Sequence, residues 1–153
     1  MGRFNGATVL ISGATGGLGC GAARAFAAEG ARLVLSDLNE AALADFTATL
    51  DAQTAILAGN IADEKLSEDL VKLAVEKFGR LDIAVNNAGI VDLKARVDEM
   101  SVERLERMMR INVVGSFLCA REAVKRMSTR HGGKGGAIVN ISSAAARLGS
   151  PGE

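Results

Sequence analysis

The sequence predicts an α/β fold in which a doubly wound parallel sheet carries helices on both faces. Short apolar runs rich in β-branched residues alternate with longer amphipathic or alanine-rich runs along the whole chain. The short runs lack the apolar–polar alternation of half-exposed strands, which is typical of strands buried on both sides. No linker composition and no repeat of fixed period interrupts the pattern, so residues 1–153 are interpreted as a single domain.

Five strands are predicted, at residues 7–11, 32–36, 54–58, 81–85 and 137–141. Each is too short and too apolar to be a surface helix, and each is followed by glycine or small polar residues. Because crossovers between parallel strands are right-handed, the favoured strand order is 3-2-1-4-5.

Helix boundaries follow from capping residues. The spacing predicts helices over residues 20–29, 40–50 and 64–78, the second and third capped by Asn39 and Asp63. Gly30 and Gly79 are placed to end the first and third helices. Ser101 can cap a long helical stretch that reaches about residue 130, with a break near residues 111 and 112. No element is predicted for the tail, residues 147–153.

Composition excludes several classes of function. The formal net charge is zero, which argues against nucleic acid or an anionic membrane surface as a partner. No apolar run approaches the length of a membrane span. The two cysteines, Cys20 and Cys119, lie far apart and suit a reducing cytoplasm. With one histidine in the chain, they also make a metal site improbable.

The glycine-rich stretch at residues 12–19 lies between the first strand and the first helix. A strand, a glycine turn and a helix together aim free backbone N–H groups and the positive end of a helix dipole at an anion. Gly13 permits the tight turn, Gly17 lets a pyrophosphate approach the backbone, and Gly19 lets helix and strand pack closely. Glycine turns at this position also arise for packing alone, so a phosphate site needs support from other parts of the sequence.

Asp37 ends the second predicted strand, about 20 residues past the glycine turn, where a carboxylate can accept a hydrogen bond from a ribose 2′-OH. A carboxylate there repels a 2′-phosphate, and no Arg or Lys between Gly13 and Gly19 offsets that repulsion. NAD is therefore preferred over NADP. The alternative is that Asp37 is a solvated turn residue or part of the cap of the next helix.

The remaining unusual residues also follow strand ends, at residues 60, 86–89 and 142–143. In a doubly wound sheet the carboxyl ends of the strands form the ligand site, beside the point where strand order reverses. The coincidence indicates a Rossmann-type dinucleotide-binding domain.

At this point the sequence resembles the short-chain dehydrogenase/reductase family over essentially its whole length. Residues 12–19 resemble that family's TGxxxGxG turn, and residues 86–89 match its NNAG motif. Residues 136–143 resemble the strand that carries its catalytic serine, and Asn112 falls where the family has its catalytic asparagine. The resemblance implies an NAD(P)-dependent oxidoreductase that transfers hydride between a nicotinamide cofactor and a small-molecule alcohol or carbonyl.

The resemblance also implies site residues. Ser143 would hold the substrate oxygen as charge develops on it, and Asn112 would support a water relay and a helix kink. Implied cofactor contacts are Ser12, Gly13, Gly16, Gly17, Leu18, Gly19, Asp37, Asn60, Ile61, Asn87, Ala88 and Gly89. The alternatives are a strand-end serine that satisfies local backbone and a purely structural asparagine.

Two positions, Ser12 and Asn60, depart from the family's pattern. Ser12 replaces the family's usual Thr but keeps a hydroxyl that can bond towards the NNAG loop. Asn60 stands where the family commonly has Asp beside the adenine, and an amide can still pair with a ring edge. Asn86 is interpreted as a structural link between neighbouring strands rather than a ligand contact.

The family's YxxxK motif, which supplies the proton donor, lies about 13 residues beyond the serine and so past residue 153. The sequence contains no Tyr. The chain therefore resembles the first five strands of a longer enzyme, C-terminally incomplete, and is expected to be inactive or very weak. The alternative is a non-catalytic dinucleotide-binding module. A methyltransferase is disfavoured because NNAG and the serine strand have no role there.

Self-association is expected because the last long helix carries a broad apolar surface and the fifth strand is an open edge. The apolar residues are Val113, Val114, Phe117, Leu118, Val124 and Met127.

Overall fold

Five parallel strands are present in the computed structural model, which describes residues 2–150. They are β1 (Thr8–Ser12), β2 (Arg32–Ser36), β3 (Thr54–Ile56), β4 (Ile83–Asn86) and β5 (Ala137–Asn140). They form one sheet of order β3-β2-β1-β4-β5, which confirms the predicted topology. The strand order reverses between β1 and β4, because β1 pairs with β2 on one side and with β4 on the other.

Six α-helices accompany the sheet within residues 2–150. They are α1 (Gly17–Ala28), α2 (Glu40–Thr47), α3 (Glu64–Phe78), α4 (Val102–Met109), α5 (Ser116–Met127) and the short α6 (Ala145–Leu148). The predicted caps of α2, α3 and α4 all form: the side chains of Asn39, Asp63 and Ser101 accept backbone N–H groups in the first turns.

A π-helical segment, Arg110–Gly115, joins α4 to α5 and confirms the break expected near residues 111 and 112. Wider turns of this kind insert an extra residue into a helix and change the direction in which later side chains point. Single turns of 3₁₀ helix precede α4, at Val97–Glu99, and follow α5, at Thr129–His131.

The core has two layers, one on each face of the sheet. Val9 and Leu33 point to one layer, where Ala23 of α1 and Leu43 of α2 cover them. Residues one position along each strand point to the other layer, against α3 and α5. This second set includes Leu10, Val34, Ala84, Leu70, Cys119, Ala123 and Met127. The sheet is thus covered on both faces, as the continuous apolar strands predict.

The prediction of a broad apolar surface on the last long helix is partly wrong. Met127 is buried at 5% exposure, whereas Phe117 is 73% exposed. The inner face of α5 is formed by Cys119, Ala123 and Met127, so the helix divides its apolar residues between two sides. An α-helical pattern continued through residues 110–115 does not show which residues of α5 point inward. The π-helical segment rotates the later side chains relative to that pattern.

The tail also differs from the prediction. Residues 145–148 form α6, and the hydroxyl of Ser143 accepts the backbone N–H of Ala145 near its start. Residue 1 and residues 151–153 lie outside the described residues, so the interpretation of residues 1–153 as a single domain stays a prediction. Within residues 2–150 no helix is long and apolar enough to cross a membrane.

Strand β5 is one of the two edge strands of the sheet in the described residues. It pairs with β4 alone, and Val139 is 42% exposed. Ile138 packs against the layer that contains α5, so Ala137 and Val139, which alternate with it, point to the opposite face. This face of β5 is exposed, whereas Val85, which pairs with Val139 on β4, is buried.

Candidate functional site

A cleft of about 550 Å³ opens at the carboxyl ends of β1, β2 and β4, beside the point where strand order reverses. Most of the residues predicted from the sequence as cofactor contacts line it. They are Ser12, Gly13, Gly16, Gly17, Leu18, Asp37, Asn60, Ile61, Asn87, Ala88 and Gly89. Three predicted site residues do not line this cleft, namely Gly19, Asn112 and Ser143.

The glycine turn between β1 and α1 is shaped by two close backbone approaches. Gly13 has φ +66°, and a Cβ there would lie 2.8 Å from Cα of Ala88. A Cβ on Gly19 would lie 2.1 Å from the carbonyl oxygen of Gly13. Neither position tolerates a side chain, so these glycines hold the turn against the NNAG loop and α1 against the turn.

The first turn of α1 presents uncommitted backbone donors. Gly16 is its N-cap and has no side chain to accept from the helix. Among residues 2–150, the N–H groups of Gly17, Leu18 and Gly19 have no hydrogen-bond partner. A Cβ on Gly17 would meet nothing within 4 Å, so the approach to these donors is open. Free donors at the positive end of a helix dipole fit a phosphate group.

The hydroxyl of Ser12 ties the turn to the loop after β4. It donates to the carbonyl of Val85 at 3.4 Å and accepts the N–H groups of Asn87 and Ala88 at 3.2 and 3.1 Å. The amide of Asn87 donates back to the carbonyls of Ser12 and Gly13 at 3.0 and 2.9 Å. The bond towards the NNAG loop expected of Ser12 is present, and it joins the two strands that flank the cleft.

Asp37 lies at the end of β2 and its carboxylate is held by three donors. Oδ2 accepts the backbone N–H of Thr15 at 2.9 Å and the Thr15 hydroxyl at 2.6 Å. Oδ1 accepts the N–H of Leu38 at 2.8 Å. Burial raises the pKa of this carboxyl, but the hydrogen bonds lower it by more, so its pKa lies below the ordinary value. Asp37 is therefore ionised at neutral pH, and the cap of α2 is Asn39 instead.

Asn60 and Ile61 form the far wall of the cleft. The Asn60 side chain accepts the N–H of Ala62 at 3.0 Å, which fixes the loop after β3. Ile61 is buried, and a Cβ on Gly115 would lie 2.8 Å from its Cγ2. The end of the π-helical segment therefore packs tightly behind this wall.

Asn112 acts on the cleft through its neighbour. Its Oδ1 accepts the N–H of Ile90 at 2.7 Å, and its Nδ2 donates to the carbonyl of Ile90 at 2.9 Å. Ile90 follows the NNAG loop and lines the cleft. The π-helical segment thus holds this loop with two hydrogen bonds from one side chain.

Ser143 lies at the carboxyl end of β5, in a separate shallow cleft with Ala144, Arg147 and Leu148. It is exposed, and its hydroxyl accepts a local backbone N–H. Asn86, by contrast, is buried and donates to Oδ1 of Asn140 at 2.8 Å, so it links β4 to β5 as expected.

The sequence interpretation missed six cleft residues: Thr15, Ser36, Leu38, Gly59, Ile90 and Ile111. Thr15 matters most because it makes two of the three hydrogen bonds to Asp37. The parallel pairing of Ser12 with Ser36 brings the residues after both strands together. That pairing, which the predicted strand order contains, is the signal that could have identified Thr15.

Residues 7–153 match the family model for short chain dehydrogenase. The chain belongs to the short-chain dehydrogenase family. Membership implies a nicotinamide cofactor, which the free N–H donors and the ionised carboxylate of the cleft fit.

Relatives of this short-chain dehydrogenase include an uncharacterized oxidoreductase of Thermotoga maritima, 40% identical over 97% of this chain and 58% of that protein. Galactitol 2-dehydrogenase of Agrobacterium fabrum is 35% identical, with 96% of this chain and 56% of that protein aligned. The crystal structure of levodione reductase superimposes with a TM-score of 0.92 at 31% identity, covering 98% of this chain and 59% of that one. The chain thus spans a little over half the length of these relatives.

Within residues 2–150 of this short-chain dehydrogenase, no group of three or more His, Cys, Asp or Glu side chains is placed to hold a metal ion.

The hydrogen bonds of the Ser12 hydroxyl predict that its removal destabilises the fold. The variant S12A leaves the N–H groups of Asn87 and Ala88 without their buried acceptor, which should lower the free energy of unfolding by about 1–3 kcal/mol. S12T keeps the hydroxyl and should lose less. Urea unfolding followed by circular dichroism measures both, and equal stability of S12A and the unchanged chain would contradict the assignment.

Proposed function

We propose that the cleft binds NAD, with its pyrophosphate at the first turn of α1 and its adenosine ribose at Asp37. The observation that carries the proposal is the pairing of free N–H donors with an ionised carboxylate in one cleft. The donors suit the negative charge of a pyrophosphate, and the carboxylate suits the hydroxyls of a ribose. A dinucleotide carries both groups in one molecule.

The preference for NAD over NADP rests on charge. A 2′-phosphate placed beside Asp37 would meet a second negative charge at short range. The turn from Gly13 to Gly19 contains no Arg or Lys to neutralise it. Asp37 therefore favours a ribose that ends in a free hydroxyl.

The remaining walls of the cleft take the two rings of the cofactor. Asn60 and Ile61 line the side beyond Asp37 and suit the adenine. Asn87, Ala88 and Gly89 line the side beyond the glycine turn and suit the nicotinamide. Gly19 contributes by packing α1 against the turn rather than by contact.

The reaction proposed for the whole protein is hydride transfer between NAD and a small-molecule alcohol or carbonyl. The bound nicotinamide supplies or accepts the hydride. Ser143 is proposed to hold the substrate oxygen, and Asn112 to position the loop beside the nicotinamide through Ile90. The names of galactitol 2-dehydrogenase and levodione reductase support a reaction of this class.

A non-catalytic dinucleotide-binding module is the second candidate for the 153-residue chain. The observation that favours it is the position of Ser143, whose hydroxyl accepts the N–H of Ala145 outside the main cleft. The two candidates share the cofactor site and differ in turnover.

We also propose a cytoplasmic location and self-association. Both cysteines are free thiols, which suits a reducing compartment. Phe117 and Met109 are 73% and 57% exposed on the helical stretch from α4 to α5. A second copy of the chain that covers this face would bury apolar area now in contact with water.

Binding of the cofactor is tested by titration calorimetry with NADH on the 153-residue chain. D37N removes the charge that faces the ribose and should raise the Kd for NADH at least about tenfold. D45N, an exposed change on α2, is the matched control and should leave the Kd unchanged. No measurable NADH affinity, or equal affinity of D37N and D45N, would contradict the proposal.

Turnover by the 153-residue chain tests the expectation that this chain is inactive or very weak. Without a positioned acid, hydride transfer by this chain should run about 10²–10⁴-fold below the rates usual for enzymes. The measurement is oxidation of NADH in the presence of small carbonyl compounds. Turnover at ordinary enzymatic rates would contradict this expectation and exclude the non-catalytic module.

Self-association is tested by light scattering over a range of concentrations. The unchanged chain should form dimers or larger species, and F117E should shift it towards the monomer by placing a charge on the exposed apolar face. A monomer at high concentration would contradict the proposal.

A further inference from the structure

The hydrogen bonds around Asp37 leave little of its carboxylate for a ligand. A carboxylate oxygen accepts about two hydrogen bonds, one for each lone pair. Oδ2 of Asp37 accepts two already, both from Thr15, at 2.9 and 2.6 Å. Oδ1 accepts one, from the N–H of Leu38 at 2.8 Å. One acceptor position therefore remains, on Oδ1.

A ribose presents two vicinal hydroxyls, and each needs an acceptor when it is taken out of water. Asp37 can satisfy one of them without breaking an existing hydrogen bond. A second acceptor for the other hydroxyl has to come from a neighbouring group.

Thr15 is the neighbour with a free acceptor. It lines the same cleft and is half-buried. Its hydroxyl has one proton, and that proton is donated to Asp37. Towards the cleft the Thr15 oxygen therefore accepts hydrogen bonds and cannot donate one.

We propose that Thr15 is a second determinant of cofactor choice, acting together with Asp37. Thr15 Oγ1 and Asp37 Oδ1 present two acceptors to the vicinal hydroxyls of the adenosine ribose. The same pair offers no donor to a 2′-phosphate, whose oxygens accept hydrogen bonds. This inference rests on the proposed NAD site and adds Thr15 to it.

The hydroxyl of Thr15 can be removed while one of the two hydrogen bonds between Thr15 and Asp37 is kept. The backbone N–H of Thr15 holds Oδ2 whatever the side chain is. T15V keeps that N–H and the shape of the side chain but removes the hydroxyl. T15S keeps the hydroxyl and removes only the methyl group, so it is the matched control.

The test is the Kd of each chain for NAD⁺ and for NADP⁺, measured by titration calorimetry. T15V should weaken NAD⁺ binding about threefold to tenfold, the effect of one hydrogen bond, and leave NADP⁺ binding equal or tighter. The ratio of the Kd for NADP⁺ to the Kd for NAD⁺ should therefore fall by at least the same factor. T15S should restore the ratio of the unchanged chain.

Other outcomes separate this inference from the proposed function. A T15V chain that loses affinity for both cofactors equally, or a T15S chain that discriminates no better than T15V, overturns the role of the hydroxyl while NAD binding stands. Failure of the unchanged chain to bind NAD⁺ overturns both. Thermal unfolding of each variant shows that the comparison is made between folded chains.

Discussion

The hydrogen bonds between Ser12 and the loop after β4 hold together the two strands between which the cleft opens. Parallel strands diverge past their last shared hydrogen bond, and at a reversal of strand order the crossover chains leave in opposite directions. The Ser12 hydroxyl and the Asn87 amide span this gap with backbone partners on both sides. The glycine turn, the NNAG loop and the start of α1 are all placed by this cross-link.

Charge is distributed unevenly along the cleft that results. The first turn of α1 contributes backbone donors and the positive end of a helix dipole, whereas Asp37 contributes a full negative charge. The glycine turn and β2 carry these opposite features on one side of the strand reversal. A ligand that matches them has an anionic middle and a neutral hydroxyl-bearing group beside it, and the proposed preference for NAD over NADP rests on this match.

Much of the fold could be predicted because local chemistry and tertiary structure agree. The apolar runs became strands in the predicted order, and Asn39 and Asp63 cap the helices that they were expected to cap. The prediction failed where local periodicity is interrupted. Met127 is buried because the inward face of α5 is set after the π-helical segment, and no residue pattern shows the phase of such a segment.

The site was predictable to the extent that its residues follow strand ends. The role of Thr15 depends on a contact with Asp37, 22 residues away, which forms only when β1 and β2 lie side by side. Ser143 shows the opposite case, because the strand that carries it forms as predicted while its hydroxyl lies outside the main cleft. A motif locates a residue on an element, and packing decides what the side chain meets.

Chemical shift mapping by ¹⁵N NMR tests the central claim most directly, because it reports which backbone amides meet the cofactor. On addition of NAD⁺, the account predicts the largest shifts at the amides of Gly17 and Leu18, with further shifts at Thr15 and Leu38. Shifts confined to other parts of the chain, such as the glycine-rich loop at residues 132–136, would contradict it.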